Sequence, residues 1–295
     1  MSRGTSENLL SLHRRTRDAL AALDLRPSRR RGQSFLVDAK VAHRIVAAAG
    51  VTNRCIVEIG PGLGALTEAL VSANPARLVG IEVEEDLTSR LRERFESPST
   101  RFVTADAVAV EFAEVLETAG PWDVVANLPY SVGTPILLRL LEQKDYLERL
   151  TLMLQREVAD RVVAEPGSKK YGALSVAVAF RARARRLFHV SPDAFSPRPK
   201  VESTVIAIDT SAPARIMPRD EQTFRELVRR AFGQRRKTLR RALAGIAEAD
   251  AFDSAGIDPS RRGETLSIEE FGRLSDEITA LREDPRTMIK TPDHA

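Results

Sequence analysis

Residues 55 to 64, Cys-Ile-Val-Glu-Ile-Gly-Pro-Gly-Leu-Gly, restrict the fold more than any other stretch, with Leu66, Leu70 and Val71 at helical spacing behind them. The apolar run reads as a short buried strand, the glycines allow a sharp turn, and the helix aims its first amides at whatever lies over that turn. Alone, a strand, a glycine turn and a helix are a weak signal. A second apolar strand, Leu78 to Ile81, ends in Glu82, roughly 20 residues past the first glycine, the spacing at which a carboxylate reaches a ribose hydroxyl pair. To this point a nicotinamide dinucleotide and S-adenosylmethionine fit equally well.

Two further strand ends favour S-adenosylmethionine. Phe102-Val103 leads to Asp106, which can receive an adenine amino group, and Val124-Val125-Ala126 runs into Asn127-Leu128-Pro129-Tyr130. Proline has no N–H to give a sheet, so the chain leaves at the carboxyl edge, where open α/β folds bind ligands. The Asn127 side-chain oxygen and the local carbonyls can accept the protons of an exocyclic amine, and Tyr130 offers an aromatic face. None of the four is a strong acid, base or nucleophile. The loop therefore suits a reaction in which the protein orients a neutral amine and a second molecule brings an activated electrophile. Taken alone it is also ordinary strand-to-turn punctuation.

The chain's 295 residues, 43% of them hydrophobic, suffice for two domains. We expect a flexible extension over 1–25, a nucleotide-binding α/β domain over 26–211, a smaller helical domain over 212–283 and a disordered tail over 284–295. The extension holds a possible amphipathic helix, Leu9 to Leu25, and is followed by Arg26, Arg29, Arg30 and Arg31, either solvated charge or an arm on nucleic acid. Further on, Pro135–Leu141 reads as a helix, Leu150–Leu154 as a fifth buried strand with Met153 in the core, and Arg156–Arg161 as a helix. Arg181–Phe188 and Val201–Ile208 read as antiparallel strands at a sheet edge, with Phe195 in a Pro-rich loop between them. Pro213 and Pro218 mark a linker before helices over Phe224–Ile246 and Ile268–Leu281. From 224 to 241, eight cations (Arg225, Arg229, Arg230, Arg235, Arg236, Lys237, Arg240 and Arg241) face Glu226 alone, which points to a phosphate-binding surface.

The single cysteine, Cys55, excludes an internal disulfide and reads as a buried thiol. The four histidines, at 13, 43, 189 and 294, lack metal-ligand spacing, so no metal is expected. No apolar run approaches the roughly 20 residues of a membrane span, which suggests a soluble, cytoplasmic protein.

Several segments then narrow the reading: Gly32-Gln33-Ser34-Phe35-Leu36, the Asn127 loop, Met153 through Arg161, Lys170-Tyr171-Gly172, Phe195 through Ser203, and Gln234 through Leu239. Together, across about residues 25 to 280, they resemble the ribosomal RNA adenine dimethyltransferase family, and within it the small-subunit, kasugamycin-sensitivity branch. The resemblance implies a Rossmann-like S-adenosylmethionine-dependent methyltransferase domain with a smaller C-terminal helical domain. It also implies dimethylation of N6 on two adjacent adenosines in a hairpin loop near the 3′ end of small-subunit (16S) rRNA, linked to ribosome biogenesis. The implied partners are that rRNA and the immature small subunit, met by a monomer. By the same resemblance Gly60 and Gly62 hold the methionine part of the cofactor, Glu82 the ribose and Asp106 the adenine. Ser34, standing where the family usually has Asn, and Leu36 are further cofactor contacts. Asn127 faces cofactor and target; with Leu128, Pro129 and Tyr130 it handles the amine, and Tyr130 and Phe195 sandwich the base. Arg235, Arg236, Lys237 and Arg240 are the implied RNA contacts.

Other readings stay open. A large-subunit rRNA adenine methyltransferase of the macrolide-resistance type shares fold and loop, although Phe195–Ser203 and Gln234–Leu239 argue against it. A DNA adenine methyltransferase more often carries Pro-Pro-Tyr. A mainly non-catalytic ribosome-assembly factor comes from a different class.

Overall fold

The computed structural model describes residues 34–116 and 120–283, together with Arg14. The expected extension with its helix, the Arg26–Arg31 cluster, Gly32-Gln33 and the tail over 284–295 lie outside these residues. The chain forms two compact units, one from residues up to Ala159 plus Ala182–Ala212, the other from Asp160–Arg181 plus Pro213 onward.

Among its described residues the first unit has nine strands: β1 (Phe35–Leu36), β2 (Cys55–Ile59), β3 (Arg77–Glu82), β4 (Thr100–Thr104), β5 (Trp122–Asn127), β6 (Leu147–Gln155), β7 (Arg183–Val190), β8 (Phe195–Ser196) and β9 (Ser203–Asp209). Seven of them make one sheet in the order β4-β3-β2-β5-β6-β9-β7, while β1 and β8 pair separately. β4, β3, β2, β5 and β6 run parallel, and β9 is antiparallel to both β6 and β7. The parallel strands read as near-continuous apolar runs because both sheet faces are covered, and Val124, Val125 and Ala126 of β5 are fully buried.

Register places the site. Ile59 lies opposite Ile81 on one side and Ala126 on the other, so β2, β3 and β5 end level, and Gly60, Glu82 and Asn127 emerge side by side. Strand order reverses between β2 and β5, where an open α/β sheet leaves a crevice at its carboxyl edge. At the opposite end, Asp123, 2% exposed, accepts from the Nε and Nη2 of Arg54, each at 2.9 Å, and from Arg149 Nη2 at 2.5 Å. This tethers the approach to β2 to β5 and β6. Cys55 is half-buried rather than buried, because it opens β2 at this end, opposite the exposed Arg77.

Gly80 of β3 shows how tightly the layers pack. A Cβ there would fall 2.4 Å from Phe102 Cδ1 and 3.2 Å from Pro61 Cγ. Gly80→Ala is expected to destabilise the protein by about 1–3 kcal/mol through overpacking, read as a lower urea midpoint; an unchanged midpoint would show that Phe102 moves aside freely.

Met153 is fully buried, as expected. β7 begins two residues past the sequence expectation because the helix Ala173–Arg181 runs on through Arg181. β8, with Pro192 before it and Pro197 directly after it, lies outside the main sheet and pairs with β1, Leu36 opposite Phe195.

The second unit is helical: Ala173–Arg181, Glu221–Gly233, Leu239–Ala242, Ala249–Ala255 and Ile268–Glu283. Apolar residues at helical spacing, Phe224, Leu227 and Val228 on one helix and Phe271, Leu274 and Ile278 on another, bury a core that includes Tyr171 and Val176. Asp160–Arg181, expected within the 26–211 domain, belongs to this unit instead, and its Tyr171 and Val176 enter the core. Asp220 caps the Glu221–Gly233 helix by accepting from the Gln222 and Thr223 amides. The single helix expected over Phe224–Ile246 is interrupted after Gly233. Where it resumes, the Leu239 and Arg240 amides donate to the Arg261 and Pro259 carbonyls at 2.7 and 3.0 Å, so a returning loop takes the bonds a continuous helix would have made.

Candidate active site

The level ends of β2, β3 and β5 open into a cleft of about 920 Å³. Its lining includes the expected Ser34, Leu36, Gly60, Gly62, Glu82 and Asp106, and also Asn127, Leu128, Pro129 and Tyr130. Cofactor-type and amine-type residues from distant parts of the chain therefore share one cavity.

Glu82 organises the glycine turn. Its Oε2 accepts from the Gly62 amide at 3.0 Å, and its Oε1 from the Val83 and Glu84 amides at 2.9 and 3.3 Å. Burial raises its pKa above the usual carboxylate value, and the three amide bonds oppose that rise. Gly62 has φ +59°, and the Phe35 ring would lie 3.2 Å from any Cβ there, so both conformation and space favour glycine. The helix Ala65–Ser72 starts after Gly64 with no side-chain cap, which leaves its first amides open to a ligand. Asp106 is exposed, and its Oδ1 accepts from the Val108 amide at 2.9 Å. Ser34 Oγ donates to the Pro197 carbonyl at 3.1 Å, tying the entry strand to the loop after Phe195.

Glu58 was not singled out from the sequence, where it reads as one polar residue in an apolar strand. It lines the same cleft and is 1% exposed; its Oε2 accepts from the Thr67 hydroxyl at 2.7 Å, and its Oε1 has no hydrogen-bond partner. Burial pushes its pKa up to about 8, opposed by the Thr67 bond and helped by the nearby Glu82 charge. An unfolded glutamate ionises near pH 4.3, so between about that pH and 8 the native state binds more protons. Stability therefore falls as pH rises through this window and levels off above it. Glu58→Gln, which removes the titration, is expected to give a shallower fall in urea midpoint between pH 5.5 and 8.5 than the wild type. Identical declines would show that Glu58 does not carry the effect.

The Asn127 loop is held from both sides. The Leu128 amide donates to the Met153 carbonyl at 3.1 Å, and the Tyr130 hydroxyl shares a 2.7 Å hydrogen bond with Ser203 Oγ. Burial raises the Tyr130 pKa above its ordinary value against that bond, so the phenol stays neutral. Phe195 departs from expectation: it is 1% exposed, packs in the core with Leu36 and Val205, and does not line the cleft. Its ring meets Tyr130 edge-on, with centroids 6.4 Å apart and planes at 61°. Two rings so placed leave no parallel slot for a base, and of the two only Tyr130 lines the cleft. Pairing with β1 is what draws Phe195 inward.

In the second unit, Arg236, Lys237 and Arg240 line an open hollow of about 350 Å³ with Arg241, Asp258 and Ser260. Arg235 is engaged otherwise, donating to Glu264 Oε2 at 2.9 Å and to the Lys169 carbonyl at 3.3 Å. Arg225 and Arg230 likewise pair with Glu221 and Glu226. The one-sided charge of the sequence is thus partly neutralised by acids that folding brings alongside. Among the described residues no group of three or more His, Cys, Asp or Glu forms a metal cluster, and no helix is long and apolar enough to cross a membrane.

Comparison with known proteins agrees with this geometry. A family model described as ribosomal RNA adenine dimethylase matches residues 26–280. The ribosomal RNA small subunit methyltransferase A of Syntrophotalea carbinolica is 44% identical over 257 residues, covering 85% of this chain and 96% of that protein. Among solved structures, a dimethyladenosine transferase from Plasmodium falciparum superposes with a TM-score of 0.68 at 20% identity, over 81% of this chain and 95% of its own. A 23S rRNA methyltransferase, ErmE, does so with 0.65 at 23% identity, over 83% and 99%. At such identities the structural matches speak for the fold alone.

Proposed function

The chain belongs to the ribosomal RNA adenine dimethylase family, and from that premise we propose that it dimethylates N6 of two adjacent adenosines in a hairpin loop near the 3′ end of small-subunit rRNA. One observation carries the reading beyond family membership: the Asn127-Leu128-Pro129-Tyr130 loop opens into the same cleft as Glu82 and Asp106. Donor and acceptor of a group would meet there.

The residues present fit S-adenosylmethionine. The cleft lies within the roughly 300–1,000 Å³ usual for small-molecule sites. The Glu82 carboxylate is fixed for a ribose diol, Asp106 lies further along the same edge, and the uncapped helix amides and the unpartnered Glu58 oxygen lie by the glycine turn. When bound, the cofactor supplies a sulfonium methyl already activated for transfer.

What remains for the protein is positioning. The Asn127 oxygen and the Leu128 carbonyl would accept the two N6 protons, turning the nitrogen lone pair out of conjugation and steadying the positive charge that develops on it. Pro129, without an N–H, places no competing donor beside them. Tyr130 would stack against the base, a contact typically contributing about 1–3 kcal/mol, its ring held by the Ser203 bond. The methylated amine can release its proton to water, so no side-chain base is needed. After the first transfer one N–H remains, and one of the two acceptors goes without a partner in the second.

We further propose that the protein acts as a cytoplasmic monomer on immature small subunits, with Arg236, Lys237 and Arg240 on RNA phosphates and Arg235 bracing them. A large-subunit substrate is the competing reading; the fold shared with ErmE does not decide between the two, because one fold hosts many substrates. The curated relative of much higher identity is named for the small subunit and supports the reading chosen. The test is to offer small and large subunits lacking adenine methylation together with labelled S-adenosylmethionine. Label is expected in small-subunit RNA; label confined to large-subunit RNA would move the substrate assignment, and subunit binding without label would favour an assembly factor.

A further inference from the structure

The edge strand β7 carries an arrangement that neither the cleft nor the helical unit uses. In the β7–β9 ladder, Arg183 lies opposite Asp209, Arg185 opposite Ala207 and Phe188 opposite Val205, with a register shift between Arg186 and Phe188. Residues 205, 207 and 209 of β9 share one sheet face, so their partners Arg183, Arg185 and Phe188 share it too. The shift sets Phe188, rather than Leu187, opposite Val205, and both side chains pack against the core there. The shared face is the one on which the helix Ala39–Ala49 packs, burying Ala42, Ile45 and Val46 with Val205. From that helix Arg44 reaches across, its guanidinium carbon 3.8 Å from the Phe188 ring centroid.

Arg44, Arg183 and Arg185 are all exposed. Among the described residues none of the three pairs with a carboxylate, whereas Arg54, Arg92, Arg94, Arg139, Arg149 and Arg156 of the same unit all do. Asp209, across the ladder from Arg183, accepts instead from the Ser211 amide and hydroxyl at 3.0 and 2.7 Å. A charged edge can simply guard a sheet against pairing with another chain. That role accepts either sign of charge and does not involve Arg44, which lies on a helix. Un-neutralised guanidiniums of one sign, about 7 Å apart along the strand and with one pre-set by stacking, suit a polyanion's backbone.

We propose that Arg44, Arg183 and Arg185 form a second contact surface for the RNA phosphate backbone, on the unit that holds the cleft. The proposal rests on the reading that the substrate is ribosomal RNA. With the full-length protein and labelled, protein-free small-subunit rRNA, affinity is measured against salt concentration. Each phosphate contact contributes about 0.7–0.9 to the slope of log affinity on log salt. The double variant Arg183→Gln, Arg185→Gln is expected to lower that slope by about 1.4–1.8. Lysine at both positions should restore it, and glutamate at both, which keeps the edge charged against aggregation, should weaken binding further. Wild-type slope and affinity in both the Gln and Glu variants would overturn the proposal. Methyl transfer by the wild type to small subunits lacking adenine methylation is scored separately. Its failure alongside a reduced slope would defeat the functional reading and leave this surface standing.

Discussion

Asn127→Ala is expected to lower the rate of methyl transfer by about 10²–10³-fold, the usual effect of deleting one preorganised polar group aimed at developing charge. Truncation removes the acceptor that draws one N6 proton and leaves the loop in place. Asn127 closes β5 opposite Met153, and the next amide, that of Leu128, is bonded to the Met153 carbonyl at 3.1 Å. The loss should fall mainly on kcat. Single-turnover methylation of small subunits by wild type and variant measures it, with cofactor affinity followed in parallel by calorimetry. A variant that methylates at the wild-type rate would show that the amine is held elsewhere. Loss confined to cofactor affinity would place Asn127 in the cofactor site alone.

Glu82→Gln is expected to weaken S-adenosylmethionine binding by about 10- to 150-fold, from the roughly 1.5–3 kcal/mol that a hydrogen bond to a charged group contributes. The carboxylate accepts three backbone amides across its two oxygens, from Gly62, Val83 and Glu84. An amide offers only one acceptor atom, so its NH₂ must face at least one of those N–H groups. Either the glycine turn relaxes or the side chain swings away from the ribose position. Calorimetric titration decides it, and wild-type affinity in Glu82→Gln would remove Glu82 from the cofactor site.

Much of the frame of the first unit was legible because parallel strands buried on both faces announce themselves as apolar runs, and a polar residue or a glycine marks the end of each run. Gly60, Glu82 and Asn127 were found that way, and their side-by-side emergence follows from the register. Phe195 was harder. Its Pro-rich surroundings exclude it from the main sheet, but nothing local reveals that Leu36, distant in the chain, pairs with it and draws the ring inside. Glu58 was hidden by its apolar neighbours, since burial without a partner for Oε1 is a property of the folded cleft. The arginine-rich stretch does not itself show which of its charges are paired: Glu264, which engages Arg235, lies far along the chain from it. The helix break after Gly233 depends on the loop that returns at Pro259 to Arg261.

The most direct test of the central claim, that one cleft joins a methyl donor to the exocyclic amine of adenine, is nucleoside analysis of small-subunit rRNA labelled by the wild-type protein. The account predicts label in N6,N6-dimethyladenosine at two neighbouring adenosines. Label on a ring nitrogen, on ribose or on another base would contradict it.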